Sequence, residues 1–258
     1  MTRRAMMIMT AASIFLSAVI MPAGAMAFAG GAVTVAASSS VLAPLREIAV
    51  AFEKTNPVRV TVVSGSTGKL YSQVLQGAPF DVFFAADTEH TDLLESKGLA
   101  RPGRRFTVRG SLVVWTNRYG LGLAGKDIAF LKDRAIRRIA VANPDVAPYG
   151  RAAFEALASA AVLDSVKDKF VYGESVAQAF SFAATGNADC AIVALSTVLF
   201  EGGEYFMVDG KTHSPLDQRA VALKSAPPEA MEFLEFLGSS DSTAIFRKYG
   251  YAIIPDEG

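Results

Sequence analysis

Short apolar runs alternate with amphipathic segments along most of the chain. The runs that predict strands are 33–37, 58–63, 81–86, 111–115, 138–142, 190–195 and 219–224. Between them, apolar residues recur at helical spacing, as Leu42, Leu45, Ile48 and Phe52 do. Strands and helices repeated in this order predict parallel sheets covered by helices, which is an α/β fold.

Glycine-rich and polar residues interrupt this alternation at 117–125 and at 201–210. If both stretches cross between the same two lobes, each lobe can be assigned from its sequence range. The first lobe is then 28–114 with 207–258, and the second is 115–206. Two amphipathic segments near the C-terminus, 228–237 and 241–249, are each followed by glycine and predict helices. Two α/β lobes joined by two chain crossings form a cleft.

The first 27 residues have the composition of a secretory signal. Arg3 and Arg4 precede a long apolar run, and Ala25-Met26-Ala27 is a cleavage site of small residues. A membrane anchor is the alternative interpretation. Cleavage after Ala27 predicts export to the periplasm, and it removes two of the 25 basic residues and none of the 25 acidic ones. The resulting charge of −2 argues against a nucleic-acid partner and requires local dipoles to hold any anion.

Small hydroxyl residues follow three predicted strands and precede three predicted helices. These clusters are Ser38–Ser40, Ser64–Gly68 and Glu174-Ser175. Helix N-termini with free N–H groups bind anions at the carboxyl ends of strands. Serine and threonine also cap helices whatever the function of a protein. Three such clusters spread over both lobes favour a shared anion.

The segment VSGSTGKLY, 63–71, looks like a nucleotide-binding loop. Such a loop needs four residues between its glycines and a hydroxyl after its lysine to hold magnesium. Here two residues separate Gly65 from Gly68, and Leu70 follows Lys69. The spacing therefore excludes a nucleotide phosphate loop but leaves an anion site open.

Metal-ion and catalytic chemistry have weaker support in the sequence. Asp87, Glu89, His90 and Asp92 resemble metal ligands, but acidic residues are also typical of the first turn of a helix, which is the interpretation favoured here. A secreted serine hydrolase would need His90 or His213, which are the two histidines of the chain. The serine cluster does not have the spacing of a nucleophile elbow, so a hydrolase stays as the alternative to a binding protein.

Several longer stretches carry a resemblance to a known family. They are VTVAASSS, GSTGKL, QGAPFDVFFAAD, LVVWT, VANPDVAPYG, GESVAQAF and IFRKYGY. The chain resembles the periplasmic molybdate-binding proteins of ABC importers over essentially its whole mature length. This resemblance implies a class II venus-flytrap fold, with a tetrahedral dianion buried between two lobes and no catalysis. It also implies a monomer without a cofactor, which delivers molybdate or tungstate to membrane permease subunits.

The resemblance also assigns the binding residues. Hydroxyl donors are expected at Ser40 and Thr67, and backbone N–H donors at Ala86 and Val176. Some members of the family have a tyrosine in the strand that matches CAIVAL, where this chain has Ala194. Tyr149, in APYG, resembles the tyrosine used by another branch of the family, and this resemblance assigns the phenol donor to Tyr149. Further expected donors are Ser39, Ser66 and Ser175, and molybdenum is expected to bind as an oxyanion with no direct protein ligand to the metal.

A site built from donors alone discriminates between oxyanions. Phosphate near neutral pH carries a proton that needs an acceptor, and none of the assigned groups is a carboxylate. Molybdate and tungstate are unprotonated and larger than sulfate. A receptor for sulfate, thiosulfate or another oxyanion is the alternative among binding proteins, because the sequence does not reveal the size of the pocket.

Overall fold

Helices and strands alternate along residues 30–255, which are the residues that this computed structural model describes; the predicted signal segment 1–27 lies outside them. The strands are β1 Ala32–Ser38, β2 Arg59–Gly65, β3 Val82–Phe84, β4 Ala100–Arg109, β5 Leu112–Thr116, β6 Ile139–Ala142, β7 Phe170–Gly173, β8 Cys190–Ala194, β9 Glu204–Met207, β10 Asp217–Leu223 and β11 Ala252–Ile254. The helices are α1 Leu42–Thr55, α2 Thr67–Leu75, α3 Glu89–Ser96, α4 Pro148–Ser159, α5 Leu163–Val166, α6 Val176–Ala184, α7 Leu195–Val198, α8 Pro228–Leu237 and α9 Ser240–Lys248. Within residues 30–255, no helix has both the length and the apolar character needed to cross a membrane.

Six strands form the first sheet in the order β11-β4-β10-β3-β1-β2. Strand β1 pairs in parallel with both β2 and β3, because α1 and α2 carry the chain back between these strands. Alternate residues of β1 point to opposite faces, so Val33 and Val35 pack in one apolar core and Ala36 packs in another. Helices therefore cover both faces of the sheet, as the α/β pattern predicts.

Five strands form the second sheet in the order β7-β6-β8-β5-β9. Strand β6 is parallel to β7 and β8, whereas β5 is antiparallel to β8 and β9. In the first sheet β10 is likewise antiparallel to β3 and β4. The expectation of purely parallel sheets is therefore wrong, while the α/β class is confirmed. Strands that enter a sheet from the other lobe lack the crossover helix that parallel pairing requires.

The chain passes between the sheets at residues 110–111 and again within 208–216. The glycine-rich stretch 117–125 instead connects β5 to β6 within the second sheet. The expected boundaries after 114 and 206 fall inside β5 and β9, which both belong to the second sheet. The glycines of 117–125 therefore belong to a loop within the second lobe, whereas the first crossing between the sheets consists of residues 110–111 alone.

Sequence patterns recognised the helices near the C-terminus better than some of the strands. The segments 228–237 and 241–249 form α8 and α9 as predicted. Strand β4 was not predicted, since its sequence ARPGRRFTVR contains proline, glycine and three charged residues before its apolar positions. It pairs with β10 on one side and with β11 on the other, so tertiary pairing outweighs its poor local propensity.

Gly110 lies at the first crossing, where there is no room for a side chain. A Cβ atom at this position would lie 2.1 Å from the Tyr149 hydroxyl oxygen and 2.6 Å from Gln218 Nε2. Both side chains are buried and hydrogen-bonded to each other, so neither can move away freely. The crossing is therefore packed directly against a polar contact in the interior.

Gly110→Ala is expected to destabilise the protein by about 1 to 3 kcal/mol, the usual cost of overpacking a buried site. Gly210→Ala is a matched control, because a Cβ at Gly210 meets no atom within 4 Å. Denaturant unfolding of both variants measures the difference. Equal stability of the two variants would contradict the packing argument.

Candidate functional site

A small cavity lies between the two lobes. Its lining residues come from both sheets and are Ser38, Ser39, Ser40, Gly65, Ser66, Thr67, Ala86, Ala147, Pro148, Tyr149 and Val176. The structure thus brings together seven of the eight residues that the sequence suggested for an anion site. The eighth, Ser175, is not part of the lining and caps α6 by accepting a hydrogen bond from Gln178 N.

Four helices begin at this cavity. A 3-10 turn at Ser39–Val41 leads into α1, and α2 begins at Thr67. From the second lobe, α4 begins at Pro148 and α6 begins at Val176. The first N–H groups of a helix have no acceptor within the helix, and the helix dipole adds about half a positive charge there. The cavity therefore favours negative charge, although no lysine or arginine is among the described residues that line it.

Two neighbouring hydroxyls at the start of α2 differ in how they are bonded. Ser66 Oγ is buried and has no hydrogen-bond partner. Thr67 Oγ1 accepts a hydrogen bond from Ala86 N at 2.9 Å. A threonine hydroxyl that accepts an N–H still has its own hydrogen to donate. The pair therefore contributes two hydroxyl donors at the wall of the cavity, while the Ala86 N–H already has an acceptor.

The Ser40 hydroxyl has a partner that the sequence analysis did not identify. Ser40 Oγ donates to Gln218 Oε1 at 2.7 Å, and Ser38 Oγ lies 3.0 Å from Ser40 Oγ. The Ser40 backbone N–H lies in the first helical turn, where N–H groups have no acceptor within the helix. In this structure Ser40 therefore offers its backbone N–H to the cavity, and its hydroxyl hydrogen goes to Gln218.

A buried polar network continues from Gln218 to two tyrosines. Gln218 Nε2 donates to the Tyr149 hydroxyl at 2.9 Å. Tyr251 donates to the Ser40 carbonyl at 2.8 Å, and so does Ser196 Oγ. Gln218, Ser196 and Tyr251 were missed from the sequence. The sequence held one signal for Gln218. Side chains of a strand alternate between its two faces, so Gln218 lies on the same face as Ala220, and a polar residue on this buried face needs a partner in the interior.

Burial keeps both phenols protonated. Burial raises the pKa of Tyr149 well above its usual value, the neighbouring Tyr251 raises it further, and the hydrogen bond from Gln218 opposes this shift. Burial also raises the pKa of Tyr251 to about 12, although the polar groups around its hydroxyl act to lower this pKa. Because a neutral phenol retains its hydrogen, Tyr149 is able to act as a donor throughout the physiological pH range.

Direct contacts join the two lobes around the cavity. Gly68 N donates to the Val146 carbonyl at 3.0 Å, and Ala177 N donates to Ser39 Oγ at 3.3 Å. Outside the cavity, Lys69 Nζ lies 2.6 Å from a Glu174 carboxylate oxygen. The lobes are therefore in contact on the α2 and α6 side of the cleft.

The acidic cluster that resembled a metal site lies beside the cavity. Asp87, Glu89 and His90 place one ligand atom each within 4.8 Å of one another. Arg151, from the second lobe, approaches Asp87 Oδ2 to 2.8 Å and Glu89 Oε2 to 2.9 Å. Both carboxylates thus pair with a guanidinium, and the cluster forms another contact between the lobes.

Two α/β lobes that meet around a small cavity of uncharged donors define a binding protein for a small anion. Residues 33–252 match the model of a family described as bacterial extracellular solute-binding proteins, and the chain belongs to this family.

Relatives with known names agree with this assignment. The chain is 38% identical to the molybdate-binding protein ModA of Azotobacter vinelandii over 91% of its own length and 96% of that protein. It is 36% identical to ModA of Rhodobacter capsulatus over 86% of its length and 89% of that protein. The solved periplasmic molybdate-binding protein of Azotobacter vinelandii matches it with a TM-score of 0.81 at 33% identity, covering 87% of this chain and all of that one. The predicted two-lobed binding-protein fold is confirmed.

Alkaline pH is expected to destabilise the protein through its buried phenols. The folded-state pKa of Tyr251 is raised from 10.0 to about 12, so its contribution to stability is fully present below pH 10 and is lost as pH rises towards 12. Full loss corresponds to about 3 kcal/mol for a shift of this size. Denaturant unfolding at a series of alkaline pH values should show a smaller decline for Tyr251→Phe than for the wild type. Parallel pH profiles would contradict this assignment.

Proposed function

We propose that this protein captures molybdate, or tungstate as an ion of the same charge and shape, in the cavity between its lobes. The observation that carries the proposal is the convergence of four helix N-termini on one small cavity without acidic lining residues. Helix N-termini and hydroxyls bind a dianion without a paired cation, because hydrogen bonds to an ionised group are strong. We assign the donors to Ser40, Thr67, Tyr149 and Val176, with Ser39 and Ser66 as additional donors and Ala86 holding Thr67.

The composition of the lining supports an unprotonated ligand. Among the described residues that line the cavity, none is a carboxylate or a histidine that would accept a proton from hydrogen phosphate. Two relatives with more than a third of their residues identical carry the name of a molybdate-binding protein. The lining therefore favours molybdate over phosphate, and the names of these relatives favour it over sulfate.

Binding without catalysis fits the contacts of the two histidines. His90 Nδ1 lies 2.9 Å from Asp87 Oδ2, and His213 Nδ1 lies 2.8 Å from the Ser214 carbonyl. Since neither histidine lines the cavity, neither is in position to activate one of its serines. A serine hydrolase is therefore not favoured.

The contacts between lobes support a mechanism in which the lobes close around the anion. Helix α2 contacts the segment before α4 through Gly68 and Val146, and α6 contacts the 3-10 turn before α1 through Ala177 and Ser39. Closure removes water from the anion and strengthens each hydrogen bond to it. We propose that one lobe is formed by 30–110 and 217–255 and the other by 112–207, that the protein acts as a monomer in the periplasm, and that it delivers the anion to the membrane subunits of an ABC importer.

Titration of the purified protein with sodium molybdate, tungstate, sulfate and phosphate tests the proposal. Molybdate and tungstate are expected to bind with one ion per chain and to raise the melting temperature, because a ligand that binds only the folded state stabilises it. Sulfate is expected to bind more weakly, and phosphate more weakly still. Sulfate binding that is tighter than molybdate binding would overturn the choice of ligand, and absence of any anion binding would overturn the site.

A pair of serine variants separates anion binding from helix capping. Ser66→Ala removes a buried hydroxyl without a partner, so the stability of the ligand-free protein should not fall. Its molybdate affinity should fall roughly tenfold or more, because one bond to a charged ligand is lost.

Ser175→Ala is the matched control for this experiment. It removes a cap outside the cavity and should cost about 1 kcal/mol of stability with little change in affinity. Calorimetric titration and thermal melts measure both quantities for both variants. If Ser66→Ala binds molybdate as tightly as the wild type does, Ser66 is not part of the site.

A further inference from the structure

Gln218 is a fully buried amide between the serine cluster and the tyrosine of the candidate site. It lies on β10 with 0% of its surface exposed, on the same side of the strand as the buried Ala220. Among the polar residues that the structure describes as buried, it has the only amide side chain. An amide has separate donor and acceptor ends, and leaving either end unpaired in the interior is costly. Both ends of Gln218 have partners, and these come from different lobes.

The two ends of the amide impose opposite roles on the hydroxyls that they contact. Gln218 Oε1 can only accept, and it receives the Ser40 hydroxyl at 2.7 Å and the Ser38 hydroxyl at 3.4 Å. Gln218 Nε2 can only donate, and it donates to the Tyr149 hydroxyl oxygen at 2.9 Å. The hydrogen of the Tyr149 hydroxyl is therefore directed to another acceptor.

Two acceptors compete for that hydrogen. One is the phenol oxygen of the neighbouring Tyr251, whose own hydrogen is donated to the Ser40 carbonyl. The other is an anion in the cavity that Tyr149 lines. A dianion is a stronger acceptor than a phenol oxygen, so a bound anion takes the hydrogen.

We propose that Gln218 is a positioning residue that fixes Tyr149 as a hydrogen-bond donor towards the bound anion. The inference rests on the proposed function, since it needs an oxyanion in the cavity. It adds a source of selectivity. With its oxygen already occupied by Gln218, Tyr149 is a poor acceptor for the proton of hydrogen phosphate, whereas a tyrosine without this amide is free to rotate and accept it.

A double-mutant cycle tests the coupling between the two side chains. Gln218→Met keeps the approximate volume of the side chain and removes both amide ends, and Tyr149→Phe removes the hydroxyl. Each single variant is expected to bind molybdate about tenfold more weakly, as for the loss of one bond to a charged ligand. The double variant should be no weaker than Tyr149→Phe alone, because Gln218 acts through the Tyr149 hydroxyl. If the loss of molybdate affinity in the double variant equals the product of the losses in the two single variants, the proposal is wrong.

The ratio of molybdate to phosphate affinity gives a readout that a purely structural role would not change. Gln218→Met should lower this ratio, while Ser175→Ala, which lies outside the cavity, should leave it unchanged. An unchanged ratio in Gln218→Met would also overturn the proposal. Wild-type protein that fails to bind molybdate would instead overturn the proposed function, so the two failures are distinguishable.

A second variant covers the case in which Gln218→Met does not fold. Gln218→Glu keeps the shape of the amide, and when ionised its carboxylate can only accept, so Tyr149 must donate to it instead of to the anion. Removing the Tyr149 hydroxyl should then cost almost no molybdate affinity in the Gln218→Glu background at pH values above the pKa of the introduced carboxyl, which burial raises and which a pH titration of this variant locates. The same removal costs about tenfold in the wild type. If Tyr149→Phe lowers molybdate affinity equally in the wild type and in Gln218→Glu, the proposal is wrong.

Discussion

Polar groups that are buried must find partners, and this requirement organises the centre of the molecule. Four helix N-termini and a group of hydroxyls are enclosed where the two lobes meet. Some of these groups satisfy one another, as Thr67 and Ala86 do, or find a partner in Gln218. Ser66 Oγ remains without a partner. An oxyanion has the acceptors that such groups lack, so the proposed capture of an anion would supply a partner for the free groups of the cavity.

The topology of the sheets creates this situation. Parallel pairing of β1 with β2 and β3 brings the carboxyl ends of these strands to one edge of the first sheet, and the segments that follow them line the cavity. In the second sheet, β6 and β7 are parallel and lead to α4 and α6. The short crossing at Gly110 lets the tyrosine of α4 reach the amide of β10. Each lobe thus supplies part of a site that neither completes alone.

Uncharged donors have a physical advantage for this task. A buried lysine or arginine would attract any anion and would itself be costly to bury without a partner. Hydroxyls, N–H groups and a phenol of raised pKa attract charge only where their hydrogens point. The basic side chains close to the cleft are instead paired with carboxylates, as Arg151 is with Asp87 and Glu89. In the proposed site, selectivity would then depend on the direction of the hydrogens, which the surrounding network sets.

The sequence by itself determined the α/β class, the helices near the C-terminus and the serine-rich clusters beside the cavity, because periodicity and strand-to-helix transitions are local properties. Ala86, Tyr149 and Val176 were expected there only because the chain resembles a known family. It did not reveal strand β4, the crossing at 110–111 or the antiparallel strands, because these depend on pairing between distant segments. Tertiary structure also decided how the hydroxyls are used. Ser175 caps a helix, whereas Ser66 has no partner, and Ser40 bonds to Gln218, which is 178 residues away. A serine has the same donor and acceptor in every sequence, and only its neighbours in space determine which of them remains free for a ligand.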